Sequence, residues 1–315
     1  MKKEKKSNSQ RVVDKIIAHI EDTGLPPWSM EWSSGVATPM NHVHGRPWTG
    51  CNIISAWVHN FSGGYTSNRF LTLNQIKKMG LHLKGEKGDP IRESLPLISL
   101  YDRKIKEKNK DTGKEEDKWI KGFSVFPCFN IEQVEGVSDP GIVKYDHDPA
   151  TIADAVKITK ALGVEVRKGP PSYSSTLDII KMPDLADFTS PEAFISTMFH
   201  ESGHATGHSS RLNRKLGNGF GTEDYAKEEL IAELTAAFLC AEFQIEYKLE
   251  QHASYLKSWL KAFKSEPSYL IKSASDASKA VAFIKDKLAN WDEHNATCTT
   301  LADVHGYDPE VSYAA

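Results

Sequence analysis

The residues best suited to do chemistry lie in the segment Phe199–Arg214, which contains the spacing His-Glu-x-x-His. His200 and His204 are four residues apart, so on a helix they lie about 40° apart around the axis and about 6 Å apart along it. Both imidazoles can therefore bind one divalent ion from the same face. Glu201 lies beside them, where a carboxylate can take a proton from water that the ion activates. The pattern predicts metal-dependent hydrolysis with Glu201 as the general base.

The residues before this motif favour the helix that must carry it. Ser190 is a good helix N-cap, and Pro191 suits the first helical position. The pair Ser202–Gly203 inside the motif disfavours a helix slightly, which the close approach of another backbone would explain. The alternating segment Leu177–Met182 precedes the helix, in the position where zincin metalloproteases place a substrate-aligning edge strand. We therefore expect a strand followed by a metal-binding helix.

A third metal ligand must come from another element, and a strong helix former follows at Glu228–Cys240. Glu229 and Glu233 share one stripe of this helix with small residues, whereas Glu228 is rotated by about 100°. We predict that Glu229 completes a His₂Glu site with an open position for water, and that Glu233 accepts a hydrogen bond from a ligand imidazole. The reverse assignment of Glu229 and Glu233 stays open, because helix register alone does not set depth. Zn²⁺ is the predicted metal, but Mn²⁺ or another divalent ion could replace it.

Composition bounds the class of protein. The chain has 315 residues and a formal net charge of −3, which is ordinary for a globular protein of about two domains. The four cysteines lie far apart without a CxxC pair, which argues against a disulfide scaffold or a cysteine-rich zinc finger and favours a reducing compartment. No stretch approaches the ~20 apolar residues of a membrane span. We therefore expect a cytoplasmic protein without a membrane partner.

The charge is divided unevenly along the chain. Residues 1–130 hold 21 Lys and Arg against 14 Asp and Glu, whereas the remainder holds 18 against 28. We predict an α+β fold with a small α+β domain over 1–134, a linker over 135–149 and a mainly helical domain with a short sheet over 150–315. The lysine-dense stretch Arg103–Lys121 has mixed charge, and we interpret it as a hairpin tip or mobile surface loop rather than a dedicated DNA contact.

The basic N-terminal part also holds five of the seven tryptophans, Trp28, Trp32, Trp48, Trp57 and Trp119. Cationic side chains bind phosphates, and exposed rings stack on unpaired bases with little sequence preference. This combination favours single-stranded DNA as the partner. The alternative is that most of these aromatic side chains pack in the core. The predicted DNA-binding residues are Arg46, Trp48, Arg69, Lys84 and Lys87.

Several segments resemble the ArdC antirestriction family, which is related to plasmid TraC primases. They are Pro39–Ile53, Gly63–Gly80, Lys84–Gly88 and Phe126–Gly136 in the N-terminal part, and Phe199–Arg214, Tyr225–Glu242 and His252–Phe263 in the C-terminal part. The resemblance implies an N-terminal domain that binds single-stranded DNA and a C-terminal zincin-like domain similar to SprT proteases. It also implies that the protein protects incoming mobile-element DNA from host restriction. By residue match, His200, His204 and Glu229 would be the metal ligands and Glu201 the general base.

Three functions remain open from the sequence. The first is an antirestriction protein that binds single-stranded DNA and carries a zinc-dependent peptidase site, with an unidentified protein substrate. The second is a non-catalytic antirestriction module that covers DNA and keeps a structural or vestigial metal site. The third is a metalloprotease that does not use DNA. Exchange of Glu201 for Gln separates the first from the second, and salt-dependent retention on a single-stranded oligonucleotide separates both from the third.

Overall fold

The computed structural model describes residues 8–29, 37–108, 115–140, 157–216, 222–248 and 253–295. In chain order its elements are α1 (Asn8–Thr23), β1 (Met40–Asn41), α2 (Cys51–Gly63), β2 (Arg69–Thr72), α3 (Leu73–Lys78), β3 (Leu95–Lys108), β4 (Glu115–Asn130), β5 (Glu165–Lys168), β6 (Ser172–Ser174), β7 (Ile179–Met182), α4 (Pro191–Thr206), α5 (Glu223–Phe243), α6 (Ala253–Ser265) and α7 (Ser268–Asn295). The predicted α+β class is confirmed. Within these ranges, no helix has both the length and the apolar character that crossing a membrane requires.

The N-terminal sheet has the strand order β1-β2-β4-β3, and its last two strands form a long hairpin. Their antiparallel register runs from Leu95 opposite Cys128 to Lys108 opposite Glu115. The hairpin alternative for Arg103–Lys121 is therefore confirmed, with paired strands that extend over most of the stretch, and the alternative of a mobile surface loop is wrong for the paired residues. Residues 109–114, between the two strands, lie outside the described residues. The mixed charges form cross-strand ion pairs such as Lys104 with Asp117 at 2.7 Å. Opposite charges that face each other across strands stabilise the pairing.

The C-terminal sheet has the order β5-β7-β6, with β5 and β7 parallel and β6 and β7 antiparallel. The predicted strand at Leu177–Met182 is present as β7, but it occupies the centre of the sheet. The edge next to the metal-binding helix is β6, which the sequence analysis did not predict. Burial explains the order, because Ile179, Ile180 and Met182 of β7 are buried whereas β6 consists of Ser172, Tyr173 and Ser174.

The largest buried apolar cluster joins the two parts of the chain. Val13 and Ile16 of α1 and Ile54 of α2 belong to the same cluster as Phe199 of α4 and Leu234 of α5. The first two helices therefore share one buried core with α4 and α5. The division of the chain at 135–149 stays a prediction, and residues 141–149 lie outside the described part.

Candidate metal centre

The helix that carries the motif begins where the sequence predicts. The Ser190 side chain accepts a hydrogen bond from the Ala193 amide, and Pro191 occupies the first helical position. Helix α4 continues to Thr206, so His200 and His204 lie on consecutive turns in its second half. The four-residue spacing therefore places both imidazoles on one face, as expected from helix geometry.

Helix α5 packs unusually close to this part of α4. A Cβ atom added to Gly203 would lie 3.0 Å from the Ala232 Cα and 3.2 Å from the Thr235 Cβ. A side chain at position 203 would therefore crowd the backbone of α5, which confirms the close approach that the sequence analysis inferred. The contact places Glu229 of α5 opposite the two imidazoles.

The two imidazoles and the Glu229 carboxylate surround one point. The Nε2 atoms of His200 and His204 are 3.1 Å apart. The carboxylate oxygens of Glu229 lie 3.6 Å from each of these nitrogens. Two ligands of a tetrahedral zinc ion, each at about 2.0–2.1 Å from it, lie about 3.3 Å apart. The spacing and the N₂O donor set therefore fit a divalent metal ion held by His200, His204 and Glu229.

His200 and the Glu229 carboxylate shift each other's pKa values. Burial by itself lowers the pKa of His200, but the hydrogen bond to Glu229 and the charges of Glu201, Glu229 and Glu233 outweigh burial and raise the pKa to about 9. Burial raises the pKa of Glu229, but its hydrogen bond with His200 and the two imidazoles lower it to about 2. The site therefore carries an excess of negative charge that a divalent cation would balance.

Glu201 directly follows His200 on α4. Its side chain is only 6% exposed. Burial raises its pKa, against the opposing effect of the two neighbouring histidines. A carboxylate with a raised pKa is a stronger base than an ordinary carboxylate, which suits the role of general base. Glu201 also lines both cavities that flank the centre, of about 300 Å³ and about 210 Å³.

Sequence reasoning missed the group that orients His204. The Nδ1 atom of His204 lies 3.4 Å from an oxygen of Glu228, and Arg214 donates two hydrogen bonds to the same carboxylate at 2.6 and 2.9 Å. Burial raises the pKa of Glu228, but the hydrogen bonds from Arg214 and His204 outweigh it and keep the pKa low. Glu228 does lie off the Glu229 stripe, as predicted, yet the second imidazole is on that side. No signal in the sequence pairs Arg214 with Glu228.

Glu233 lies near the other imidazole but is not hydrogen-bonded to it. Its carboxylate oxygen is 3.9 Å from the Nδ1 atom of His200, and the side chain is 3% exposed. Its second oxygen accepts a hydrogen bond from the indole of Trp28, at 3.0 Å. Of the two acids on this stripe, Glu229 is therefore the one beside the metal-facing Nε2 atoms, and Glu233 faces an outer nitrogen.

The predicted DNA-binding residues are spread over the N-terminal sheet and its loops. Arg46 and Lys87 are exposed, and Arg69 and Lys84 are partly buried. Arg69 pairs with Met40 at the start of β2, and Arg46 follows β1. Trp48 is also partly buried, with its ring 4.7 Å from that of Phe70.

The other tryptophans of the N-terminal part differ in solvent exposure. Trp28 and Trp57 are buried, and Trp32 lies outside the described residues. Trp119 on β4 is 62% exposed, and Phe123, four residues further along the strand, is also exposed. The core alternative is therefore correct for two of the five tryptophans, while Trp119 is free to contact a partner.

Comparisons with known proteins match both parts of the chain. Residues 6–126 match the model of the N-terminal domain of the anti-restriction factor ArdC, and residues 153–276 match a zincin-like metallopeptidase model. The crystal structure of the metal-free antirestriction protein ArdC from plasmid R388 superposes with a TM-score of 0.72 and 31% sequence identity, covering 90% of this chain and 98% of that one. The chain belongs to the ArdC antirestriction family. The resemblance inferred from the sequence is confirmed.

Other relatives extend this assignment. The Mn(II)-bound structure of ArdC from plasmid R388 also has a TM-score of 0.72, with 30% identity over 91% of this chain and all of that one. A DNA primase TraC of Escherichia coli is 31% identical over 89% of this chain, and the uncharacterized protein y4eC of Sinorhizobium fredii is 29% identical over 62%. The chain spans 27% of that primase and 64% of y4eC. The zincin-like fold and the ArdC relatives together indicate a divalent-metal site.

Proposed function

We propose that the protein is an antirestriction factor that binds single-stranded DNA with its N-terminal part and hydrolyses peptide bonds at the metal centre. The observation that carries the proposal is the convergence of His200, His204 and Glu229 on one point beside the buried Glu201. Zn²⁺ is the proposed metal, and Mn²⁺ is the alternative. When bound, such an ion supplies Lewis-acid chemistry that makes water nucleophilic near neutral pH and polarises a carbonyl group.

The protein's own residues divide the remaining work. His200 and His204, through their Nε2 atoms, and Glu229, through its carboxylate, would hold the ion. The carboxylate of Glu201 accepts the proton of the attacking water and passes it to the nitrogen of the departing amine. Glu228, backed by Arg214, keeps the Nδ1 proton of His204 in place so that Nε2 is available to the metal.

Strand β6 offers the edge along which a peptide would lie. Pro171, Ser172 and Tyr173 line the larger cavity together with the metal-site residues. An extended peptide can add to a sheet edge through main-chain hydrogen bonds. Arg211 holds this edge against the end of α4, because it donates to the Ala205 carbonyl, to Asp178 and to the Tyr173 hydroxyl. A substrate carbonyl would thereby be presented to the centre.

The deciding experiment replaces Glu201 with Gln, which removes the proton acceptor and preserves shape. We expect peptide cleavage and antirestriction both to disappear, while metal binding and DNA binding remain. A suitable control is Glu223→Gln, at an exposed position in the first turn of α5. Peptide cleavage is measured on a denatured protein mixture by mass spectrometry, and antirestriction by survival of unmodified plasmid in a restricting host.

A second candidate function, the non-catalytic module, makes the opposite prediction for the same variant. If the metal centre only stabilises the fold, Glu201→Gln retains full antirestriction while DNA binding continues. Full activity of that variant would remove the peptidase from the proposal and leave DNA binding as the protective act.

In contrast to the interpretation of Arg103–Lys121 from sequence alone, we place the proposed DNA contact on the exposed face of the β3–β4 hairpin, because Trp119 and Phe123 are exposed there. Trp119 and Phe123 point to the same side of β4, because side chains alternate along a strand, and Lys104 lies opposite Trp119. Arg46 and Arg69 lie at the other end of the same sheet. Rings and cations on one sheet suit a single strand. We expect the protein to bind a labelled oligothymidylate of about 16 nucleotides, with an affinity that falls as salt rises. Salt-insensitive binding would contradict the phosphate contacts.

A further inference from the structure

The metal centre is contacted on its outer side by a residue from the N-terminal part of the chain. Trp28 lies in a short 3-10 turn, Pro27–Ser29, and its side chain is only 2% exposed. Its indole Nε1–H donates a buried hydrogen bond of 3.0 Å to Glu233, which is 205 residues away in sequence. A buried carboxylate is expensive to leave without a donor, so this bond stabilises one position of the Glu233 side chain.

The other oxygen of Glu233 lies 3.9 Å from the Nδ1 atom of His200. This Nδ1 is buried and makes no hydrogen bond within the part of the chain that the structure describes. A short movement of Glu233 is enough to bring its oxygen to hydrogen-bond distance. Metal-bound imidazoles almost always donate their outer N–H to a carboxylate, a carbonyl or water, which sets the ring orientation. Glu233 is the carboxylate placed to accept from His200.

The two imidazoles are supported in parallel ways. His204 faces Glu228, and Glu228 is held by Arg214 from the loop directly after α4. His200 faces Glu233, and Glu233 is held by Trp28 from the segment after α1. The support of His204 is therefore local to the metal helix. The support of His200 includes a hydrogen bond from the N-terminal part of the chain.

We propose that Trp28 is a positioning residue for the metal centre, through which the N-terminal part of the chain sets the affinity for the metal. It acts by holding Glu233 beside the outer nitrogen of His200. The inference rests on the proposed metal-binding function of His200, His204 and Glu229. Loss of such an outer hydrogen-bond partner typically lowers metal affinity by 10–100-fold.

The test is Trp28→Phe in the full-length protein, which removes the N–H and keeps an aromatic ring in the core. We expect its Mn²⁺ dissociation constant to rise about 10-fold, with a changed electron paramagnetic resonance spectrum of the bound ion. Trp259→Phe is the matched control. Trp259 is also buried, its ring is 6.3 Å from that of Trp28, and its indole donates to the Ala226 carbonyl instead of a carboxylate. We expect that variant to keep the wild-type affinity and spectrum.

A double variant tests whether Trp28 acts on the metal centre through Glu233. If Trp28 acts through Glu233, then Trp28→Phe combined with Glu233→Ala, which removes the acceptor, loses no more Mn²⁺ affinity than Glu233→Ala alone. Additive losses would overturn the proposal, as would a Trp28→Phe protein with wild-type affinity or equal losses in the Trp28→Phe and Trp259→Phe variants. Failure of the wild type to bind Mn²⁺ or Zn²⁺ would instead refute the proposed function.

A measurement on the unmutated protein covers the case in which Trp28→Phe does not fold. The indole N–H resonance of Trp28 should shift when Zn²⁺ is added, because its acceptor Glu233 then also accepts from His200. The indole resonance of Trp259 should stay in place. An unmoved Trp28 resonance at saturating Zn²⁺ would show that the metal and this hydrogen bond are independent.

Discussion

The metal centre and the β3–β4 hairpin differ in how their side chains are held: those of the centre are largely buried and closely spaced, whereas many of those on the hairpin are exposed. At the metal centre, the Nε2 atoms and the Glu229 carboxylate lie 3.1 and 3.6 Å from one another, and a buried carboxylate faces the outer nitrogen of each imidazole. On the hairpin, Trp119 is exposed and its neighbouring charges are paired at the surface. Metal chemistry requires atoms fixed within tenths of an ångström, whereas stacking on bases tolerates varied geometry. The contrast assigns rigid packing to one region and accessible side chains to the other.

The largest effect on the metal centre is expected from removal of a metal ligand. We expect His204→Ala to raise the Mn²⁺ dissociation constant by more than the roughly 100-fold that loss of an outer partner costs, because a direct bond is lost. Isothermal titration with purified protein measures the effect. His208→Ala is the control, since His208 lies beyond the end of α4 and faces Ser210. Equal affinity of the two variants would remove His204 from the centre.

Forcing α4 and α5 apart should also loosen the metal centre and leave the hairpin unaffected. Gly203→Val adds atoms where even a Cβ would be 3.0 Å from Ala232. We expect the free energy of unfolding to fall by about 2–3 kcal/mol from overpacking, measured by urea denaturation of the metal-free protein. Gly203→Ala should cost less, because alanine gains about 1 kcal/mol of helix propensity over glycine. Unchanged stability of the valine variant would contradict the close helix contact.

The hairpin should show the reverse behaviour. We expect Trp119→Ala to weaken binding of single-stranded DNA by about 10-fold, since one base stack contributes about 1–3 kcal/mol, with no loss of thermal stability. Fluorescence anisotropy and a thermal melt measure the two quantities. Trp48→Ala is the comparison, because Trp48 packs on Phe70 and its removal should lower stability. If Trp119→Ala binds DNA normally, the stacking surface lies elsewhere.

The smallest expected effect concerns Asp178, which pairs with Arg211 beside the end of α4. Burial alone raises the pKa of Asp178, but hydrogen bonds from Arg211 and Tyr173 outweigh it and hold the pKa below its usual value. The folded state therefore gains stability from ionised Asp178 above the unfolded-state pKa of about 3.9, and loses it as pH falls through the lower folded-state pKa.

We expect Asp178→Asn to lower the free energy of unfolding by about 1 kcal/mol at pH 7. The difference from the wild type should vanish in strong acid, as followed by urea denaturation at several pH values. Asp276→Asn, which loses a surface ion pair with Lys279, should have less effect. A difference that grows towards low pH would contradict the sign of the pKa shift.

Much of the metal centre was predictable because His200, Glu201 and His204 lie within one helix. Ser190, Pro191 and the four-residue spacing of the histidines specify a helix start and a common face. The pairing of Arg214 with Glu228 was not predictable, because it depends on how α5 crosses α4. The hydrogen bond from Trp28 to Glu233 was not predictable for the same reason, because the two residues are 205 positions apart in the sequence.

The N-terminal part was harder to predict. Its aromatic residues are abundant, but periodicity does not tell an exposed Trp119 from a buried Trp57. The mixed charges of Arg103–Lys121 left a hairpin tip and a surface loop as alternatives, because each strand lacks a partner when the sequence is read alone. Pairing supplies the partner, and the ion pair of Lys118 with Glu107 then becomes a cross-strand contact.

By itself, the sequence determined the family and the α+β class. It also determined that His200 and His204 share one face, because helix pitch relates residues four apart without reference to the rest of the molecule. The tertiary structure decided which carboxylate supports which imidazole, which strand forms the sheet edge and which tryptophan stays exposed. Those choices depend on contacts between residues far apart in the chain, and such contacts form only when the buried apolar cluster brings the two parts together.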